Sequence, residues 1–186
     1  MAQLKERVVL GIDPGTVITG YGVVVQSGRK ITLIEMGVIK LGKYEDYALR
    51  LKKIFEKTLA LVEHHKPDEL AIEAPFFGKN VQSMLKLGRA QGVAMAAALY
   101  RSVPIREYSP KKIKMAITGN GNASKEQVAA MLQTIVGFSE TPEFLDATDG
   151  LAAAVCHCLQ QDQSAPSGKS FGGWKSFLAA NPERKL

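Results

Sequence analysis

The feature that most constrains the fold is an apolar run near the N-terminus that ends in an acid and a turn. Residues 8–12 read Val-Val-Leu-Gly-Ile, Asp13 follows them, and Pro14-Gly15 makes the turn. A continuous rather than alternating apolar run predicts a strand that is covered on both faces, in the middle of a sheet. Asp13 is then expected at the rim of that sheet. Taken alone, Asp13 is explained by turn capping, so its importance depends on other acids.

The order of the predicted elements favours an α/β fold, a mixed sheet with helices on both faces. The first strand, a second strand and a third, edge-like strand form a meander, and helices and short strands then alternate. The predicted strands after the first are 20–26, 31–40, 69–75 and 103–108. The predicted helices are 44–65, 81–100, one capped by Ser109-Pro110, one opened by a capping box at Ser124, and 143–161.

The 186-residue length predicts one domain over residues 1–161, followed by a polar and poorly ordered tail over 162–186. No apolar run is long enough for a membrane span, and no apolar segment follows the charged N-terminus as in a signal peptide. Cys156 and Cys158 flank His157, a poor spacing for zinc or a disulfide. We expect reduced, buried thiols in a cytoplasmic protein.

Positive charge is concentrated in the middle of the chain. The net charge is +6, and within residues 78–125 only Glu107 opposes the basic residues. This segregation predicts a polyanionic partner, with a solvated basic face as the alternative. The basic residues of the segment are Lys79, Lys86, Arg89, Arg101, Arg106, Lys111, Lys112, Lys114 and Lys125.

Three further acids occupy positions comparable to that of Asp13. Glu73 follows the apolar run Leu70-Ala71-Ile72, and a structural ion pair with a lysine is its simpler explanation. Asp146 and Asp149 begin an apolar helix at a spacing that places both on one face. The helix dipole stabilises negative charge in a first helical turn, and this effect alone would explain two acids there.

Four acids at one edge of a sheet would repel one another strongly without a cation. Clusters of hard oxygen ligands with few histidines suit Mg²⁺ or Mn²⁺ rather than zinc. Two such ions, roughly 4 Å apart, can clamp a phosphodiester for hydrolysis. The basic segment would supply affinity for a nucleic-acid backbone, so the two observations support one another.

Four motifs resemble the RuvC family of Holliday-junction resolvases. They are Gly11–Gly15, Ala71–Glu73, Lys86–Gly92 and Asp146–Asp149, in order over roughly residues 8–160. The resemblance implies a ribonuclease H-like fold and a metal-dependent endodeoxyribonuclease. It assigns the catalytic and metal-binding roles to Asp13, Glu73, Asp146 and Asp149.

The resemblance also implies a homodimer that cuts a four-way DNA junction symmetrically, leaving 5′-phosphate and 3′-hydroxyl ends, after delivery by branch-migration motor proteins. The small residues of helix 81–100 are a candidate two-fold contact. Phe76 is the candidate for stacking on an unpaired base, with a satellite core as the alternative. The candidate backbone contacts are Lys79, Arg89, Lys111, Lys114 and Lys125.

Three other functions remain open from the sequence. An ATP-using protein of the actin and sugar-kinase type has a similar phosphate loop but generally needs two copies of the fold. A nuclease that trims RNA or single strands would use the same carboxylates. A non-enzymatic junction-binding protein is the third, although four acids would hinder DNA binding.

Overall fold

The computed structural model of the protein describes residues 6–75, 80–138 and 145–162. The strands are β1 (Glu6–Asp13), β2 (Ile18–Ser27), β3 (Lys30–Lys40), β4 (Glu69–Glu73) and β5 (Ile105–Tyr108). The helices are α1 (Tyr47–His65), α2 (Val81–Leu99), α3 (Pro110–Thr118), α4 (Lys125–Val136) and α5 (Asp146–Asp162). Helix α5 ends at Asp162, and the rest of the predicted tail, residues 163–186, lies outside the described residues.

The five strands form one mixed sheet in the order β3-β2-β1-β4-β5. Strands β1, β2 and β3 pair antiparallel as a meander, and β4 pairs parallel to both β1 and β5. The apolar run lies in β1, the central strand, as predicted. Its residues Val9, Leu10 and Ile12 are fully buried. Strand β3 is an edge strand, as its sequence indicated.

Helices cover both faces of the sheet, and each face has its own apolar core. On one face, Val9 and Val24 pack with buried residues of α3, α4 and α5, including Leu151. On the other face, Leu10 and Ile12 pack with buried residues of α1 and α2. Alternate residues of β1 therefore contribute to opposite cores. This two-sided burial explains why the run contains no polar side chain.

The helix starts follow local side-chain chemistry. Asp46 caps α1 by accepting a hydrogen bond from the backbone N–H of Ala48, so the helix begins three residues later than predicted. Ser109 caps α3 with Pro110 in the first turn, and Ser124 forms the predicted capping box of α4. The predicted start of α5 at 143 falls on residues outside the described part of the chain; its described portion begins at Asp146.

Helix α5 lies unusually close to the sheet because glycines stand where the two elements cross. A Cβ atom at Gly20 would lie 1.8 Å from the carbonyl oxygen of Asp146. A Cβ atom at Gly150 would lie 2.5 Å from the backbone nitrogen of Tyr21. No side chain fits in either place. The backbones of β2 and α5 are therefore in direct contact beside Asp146 and Asp149.

A buried polar network joins the far part of α5 to the sheet. The imidazole of His157 is fully buried; its Nδ1 lies 2.7 Å from the Tyr108 hydroxyl and its Nε2 lies 2.8 Å from Glu69 Oε2. Glu69 also accepts a hydrogen bond from Arg7 at 3.1 Å. Burial lowers the pKa of His157. The ring therefore connects α5, β4 and β5 as a neutral group.

Both cysteines are buried on α5 and form no disulfide, as predicted. Among the helices of the described ranges, none has the length and apolar content needed to cross a bilayer.

The tight crossing of α5 and β2 predicts that Gly150→Ala destabilises the fold. The added methyl group would force the backbones apart, at a cost of about 1–3 kcal/mol in the free energy of unfolding. Urea denaturation measures this cost. The control is Thr134→Ala at an exposed position of α4. That change should stabilise the helix by up to about 0.7 kcal/mol. Equal effects of the two substitutions would contradict the close-packing argument.

Candidate active site

Two acids meet at one edge of the sheet because their strands are parallel neighbours. Ile12 of β1 pairs with Ile72 of β4, and the next residues along the two strands are Asp13 and Glu73. Both side chains therefore project at the same end of adjacent strands, on a rigid framework. This is the juxtaposition that the sequence predicted.

Helix α5 brings a third acid to the same place. Asp13, Glu73 and Asp149 line one cavity of about 210 Å³, together with Lys114 of α3 and Lys125 of α4. Asp146 lies one helical turn before Asp149 and is not among the lining residues. Its Oδ1 atom lies 3.4 Å from the Lys125 ammonium, which links it to the cavity. Five elements of the chain, β1, β4, α3, α4 and α5, thus contribute charged groups to one site.

The acids are held where they ionise poorly. Burial, then repulsion from Asp149, raises the pKa of Asp13 to about 7. Burial, then repulsion from Asp13, raises the pKa of Glu73 to about 8. Burial also raises the pKa of Asp149, although its bond to Lys125 opposes the shift. Near neutral pH the cluster is therefore partly protonated, and added positive charge would favour the fully ionised form.

Lys125 places an ammonium group among the acids. Its Nζ lies 2.5 Å from Asp149 Oδ2 and 3.4 Å from Asp146 Oδ1. Burial opposes the charged form, but the hydrogen bond with Asp149 and the charges of both aspartates raise the pKa of Lys125 to about 12. The ammonium thus supplies part of the positive charge that the carboxylates require.

The donor set of this cavity fits hard divalent cations. Carboxylate oxygens are the ligands that Mg²⁺ and Mn²⁺ prefer. Burial and then mutual repulsion raise the pKa values of Asp13 and Glu73, so a nearby cation would favour their ionised forms. Within the described ranges, no three His, Cys, Asp or Glu side chains are already grouped closely enough to hold a metal ion.

The other predicted contact residues are placed differently. Lys114 lines the acidic cavity, whereas Lys111 lies with Lys112 on a neighbouring cavity formed around α3. Arg89 is exposed on α2 and is absent from the lining of the acidic cavity. Phe76 and Lys79 lie outside the described residues. Of the basic residues predicted to contact DNA, Lys114 and Lys125 are therefore the ones that the structure places in the cavity with the acids.

One supporting residue was not singled out from the sequence. Gln91 is buried on α2, and its Nε2 donates to the backbone oxygen of Glu73 at 3.3 Å and to Glu107 Oε2 at 2.8 Å. It therefore holds the end of β4 in place. The available signal was a polar side chain among the alanines of α2, which marks a buried group with a specific partner.

Comparison with known proteins agrees with this geometry. A family model described as "Crossover junction endodeoxyribonuclease RuvC" matches residues 9–157. Proteins with that name from Bacteroides fragilis and Christiangramia forsetii are 61% and 60% identical to the chain. The aligned regions cover 97% of this chain in both cases, and 97% and 93% of the two relatives.

Solved structures give the same result. The structure of Thermus thermophilus RuvC in complex with a Holliday junction substrate has a TM-score of 0.78 and 34% identity. The match covers 85% of this chain and 96% of that chain. The yeast mitochondrial Holliday junction resolvase Ydc2 has a TM-score of 0.62 at 17% identity, which supports the shared fold alone. The chain has this ribonuclease H-like fold and belongs to the RuvC family of crossover junction endodeoxyribonucleases.

Proposed function

We propose that this protein is an endonuclease that resolves four-way DNA junctions in recombination and repair by metal-dependent hydrolysis. The observation that carries the proposal is the cavity in which Asp13, Glu73 and Asp149 lie with Lys114 and Lys125. Carboxyl groups that ionise poorly, with lysines beside them, suit a site that binds cations and then a phosphodiester. The family relationship supports the choice of a DNA junction as the substrate.

The cations would be a pair of Mg²⁺ ions, with Mn²⁺ as the alternative. Their ligands would be Asp13, Glu73, Asp146 and Asp149. A bound pair of this kind would supply activation of the attacking water and stabilisation of the leaving oxygen. The rigid strand ends of Asp13 and Glu73 would fix one side of the site. Asp146 and Asp149 would complete it from α5, whose close contact with β2 limits how far they can move.

The reaction is hydrolysis of one P–O3′ bond. The water oxygen forms the new bond to phosphorus, and the 3′ oxygen leaves and takes up a proton, giving a 5′-phosphate and a 3′-hydroxyl. Negative charge increases on the phosphoryl oxygens in the transition state. Lys114 and Lys125 line the same cavity, and their ammonium groups would stabilise that charge.

A junction has two strands to cut, so symmetric resolution calls for two active sites. We propose a homodimer, with α2 as the contact. Val81, Leu85 and Leu99 are exposed apolar residues on α2, and Gly88 and Gly92 have open space beside them. Small residues let two helices approach closely. Motor proteins that move the branch point would be the partners that deliver the junction.

The test is incubation of the purified protein with Mg²⁺ and a synthetic four-way junction, beside linear duplex and single-stranded RNA. We expect paired cuts that ligase can seal, in the junction alone. Glu73→Gln and Asp146→Asn should each reduce cleavage at least 100-fold while junction binding is retained, because the fold does not need these charges. Cleavage of the RNA instead would favour an RNA-trimming nuclease. Near-normal junction cleavage by either variant would contradict the assignments.

The raised pKa values predict that the acids reduce stability as pH rises. The folded-state pKa of Asp13 is about 7, above its unfolded value of 3.8, so between these values the native state binds more protons. The free energy of unfolding therefore falls as pH rises from about 4 to 7. Asp13→Asn should remove this loss and stabilise the metal-free protein at pH 8 by roughly 1–3 kcal/mol. Urea denaturation in EDTA at pH 4.5 and pH 8 measures the difference. An equal effect at both pH values would contradict the prediction.

Contact of Lys114 with a phosphate predicts a change in salt dependence. Lys114→Ala should weaken junction binding and reduce the slope of log K against log salt concentration by about 1. Binding is measured by fluorescence anisotropy in EDTA over a range of salt concentrations. Lys30→Ala is the control, because Lys30 lies at the β2–β3 turn, away from the acidic cavity. Equal slopes for the two variants would exclude the contact.

A further inference from the structure

Another cavity, lined by several lysines, lies on the face of the sheet that α1 covers, opposite α3, α4 and α5. It has a volume of about 430 Å³ and is formed between the edge strand β3 and helix α1. We propose that this β3–α1 groove binds the phosphate backbone of a duplex arm that leaves the active site. The proposal rests on the proposed function, because it concerns the same DNA substrate.

The charge of the groove is strongly positive. Lys40 and Lys43 lie at one end, and Lys53 and Lys57 project from successive turns of α1. Glu35 is the carboxylate that lines it. Four ammonium groups around one concave surface make a site for a polyanion whose charges are spaced along a chain.

Glu35, the one acid among the described residues that line the groove, contacts a tyrosine hydroxyl and an imidazole. Glu35 Oε1 accepts a hydrogen bond from the Tyr21 hydroxyl at 2.7 Å, and its Oε2 lies 2.9 Å from His65 Nε2. The carboxylate is therefore directed toward the tyrosine and the histidine. Lys53 pairs with Glu56, which lies outside the lining of the groove. Lys43 has its Nζ 5.2 Å from the ring centroid of Tyr44.

The lysine end of the groove is fixed to the turn that follows Asp13. Leu41 N–H and Gly42 N–H both donate to the backbone oxygen of Val17, at 2.8 and 3.1 Å. Arg50 of α1 donates to the backbone oxygens of Thr16, at 3.0 Å, and Tyr44, at 2.6 Å. These bonds join α1, the segment after β3 and the turn that follows Asp13, so the backbone next to Lys43 is tied to the active-site turn.

The spacing suits one duplex arm. Asp13 pairs with Gly20, and Gly20 pairs with Val38, so β3 ends at the same end of the sheet as the acids. Strands β1 and β3 are two positions apart, roughly 10 Å. A duplex presents phosphates about every 3.4 Å along each strand. An arm extending from the cut toward β3 would therefore reach Lys40 and Lys43 within the first few base pairs.

Lysines on an edge strand also discourage strand pairing between molecules, which offers a different reason for Lys40. That role would not extend to Lys53 and Lys57, because both are on α1. It also predicts no effect on DNA affinity, so an affinity measurement separates the two explanations.

The experiment compares Lys43→Ala/Lys57→Ala with Lys30→Ala/Lys52→Ala, which makes the same charge change outside the groove. Junction binding is measured in EDTA over a range of salt concentrations. The groove variant should lose several-fold affinity, and its log K against log salt slope should fall by about 1.8, as expected for two lost phosphate contacts. The control variant should keep the parent slope. Equal slopes for the two double variants would overturn the proposal.

A second measurement locates the contact on the DNA. Arm phosphates three to eight nucleotides from the cut are replaced by neutral methylphosphonates. The parent protein should bind this junction more weakly than the unmodified junction. The groove variant should bind the two junctions equally, because its substitutions have already removed the same contacts. If the affinity losses from the neutral phosphates and from the groove substitutions were additive, the proposal would be overturned. The proposal would also be overturned if the groove variant lost binding of tripolyphosphate but bound the junction as tightly as the parent protein. A parent protein that neither binds nor cuts the junction would instead refute the proposed function.

Discussion

The structure depends on holding several carboxylates together where they are only partly hydrated. Burial and mutual repulsion raise the pKa of Asp13 to about 7 and that of Glu73 to about 8, which is unfavourable for an ionised cluster. The two-sided cores around β1 and β4 supply the stability that keeps these strand ends in place. Cations bound at this cluster would offset the unfavourable electrostatics, so the feature that reduces stability would also create affinity for them.

The position of α5 is the second requirement. A helix that lay at an ordinary distance from the sheet would hold Asp149 several ångströms farther from Asp13. Gly20 and Gly150 remove the side chains that would separate β2 from α5. At the other end of the helix, His157 bonds to Tyr108 and Glu69 and so joins α5 to β4 and β5. Backbone contact at one end and a buried polar network at the other together define where the aspartates lie.

Positive charge is arranged around this acidic centre on both faces of the sheet. Lys114 and Lys125 line the acidic cavity, and the lysines of the β3–α1 groove lie on the opposite face. The first group would act on the phosphate that is cut, while the second would contact phosphates farther along an arm. Such a division separates transition-state stabilisation from the longer-range attraction that brings DNA to the protein.

The sequence alone determined the central strand, the order of elements, the helix caps at Ser109 and Ser124, and the acids at strand and helix ends, because local periodicity and side-chain chemistry decide these features. It did not reveal the role of Gln91, the approach of α5, or the β3–α1 groove. Those depend on residues far apart in the chain: Gln91 reaches Glu73, Gly150 meets Tyr21, and Lys43 shares a cavity with His65. Only tertiary packing decides such contacts, because no local preference encodes the distance between two surfaces.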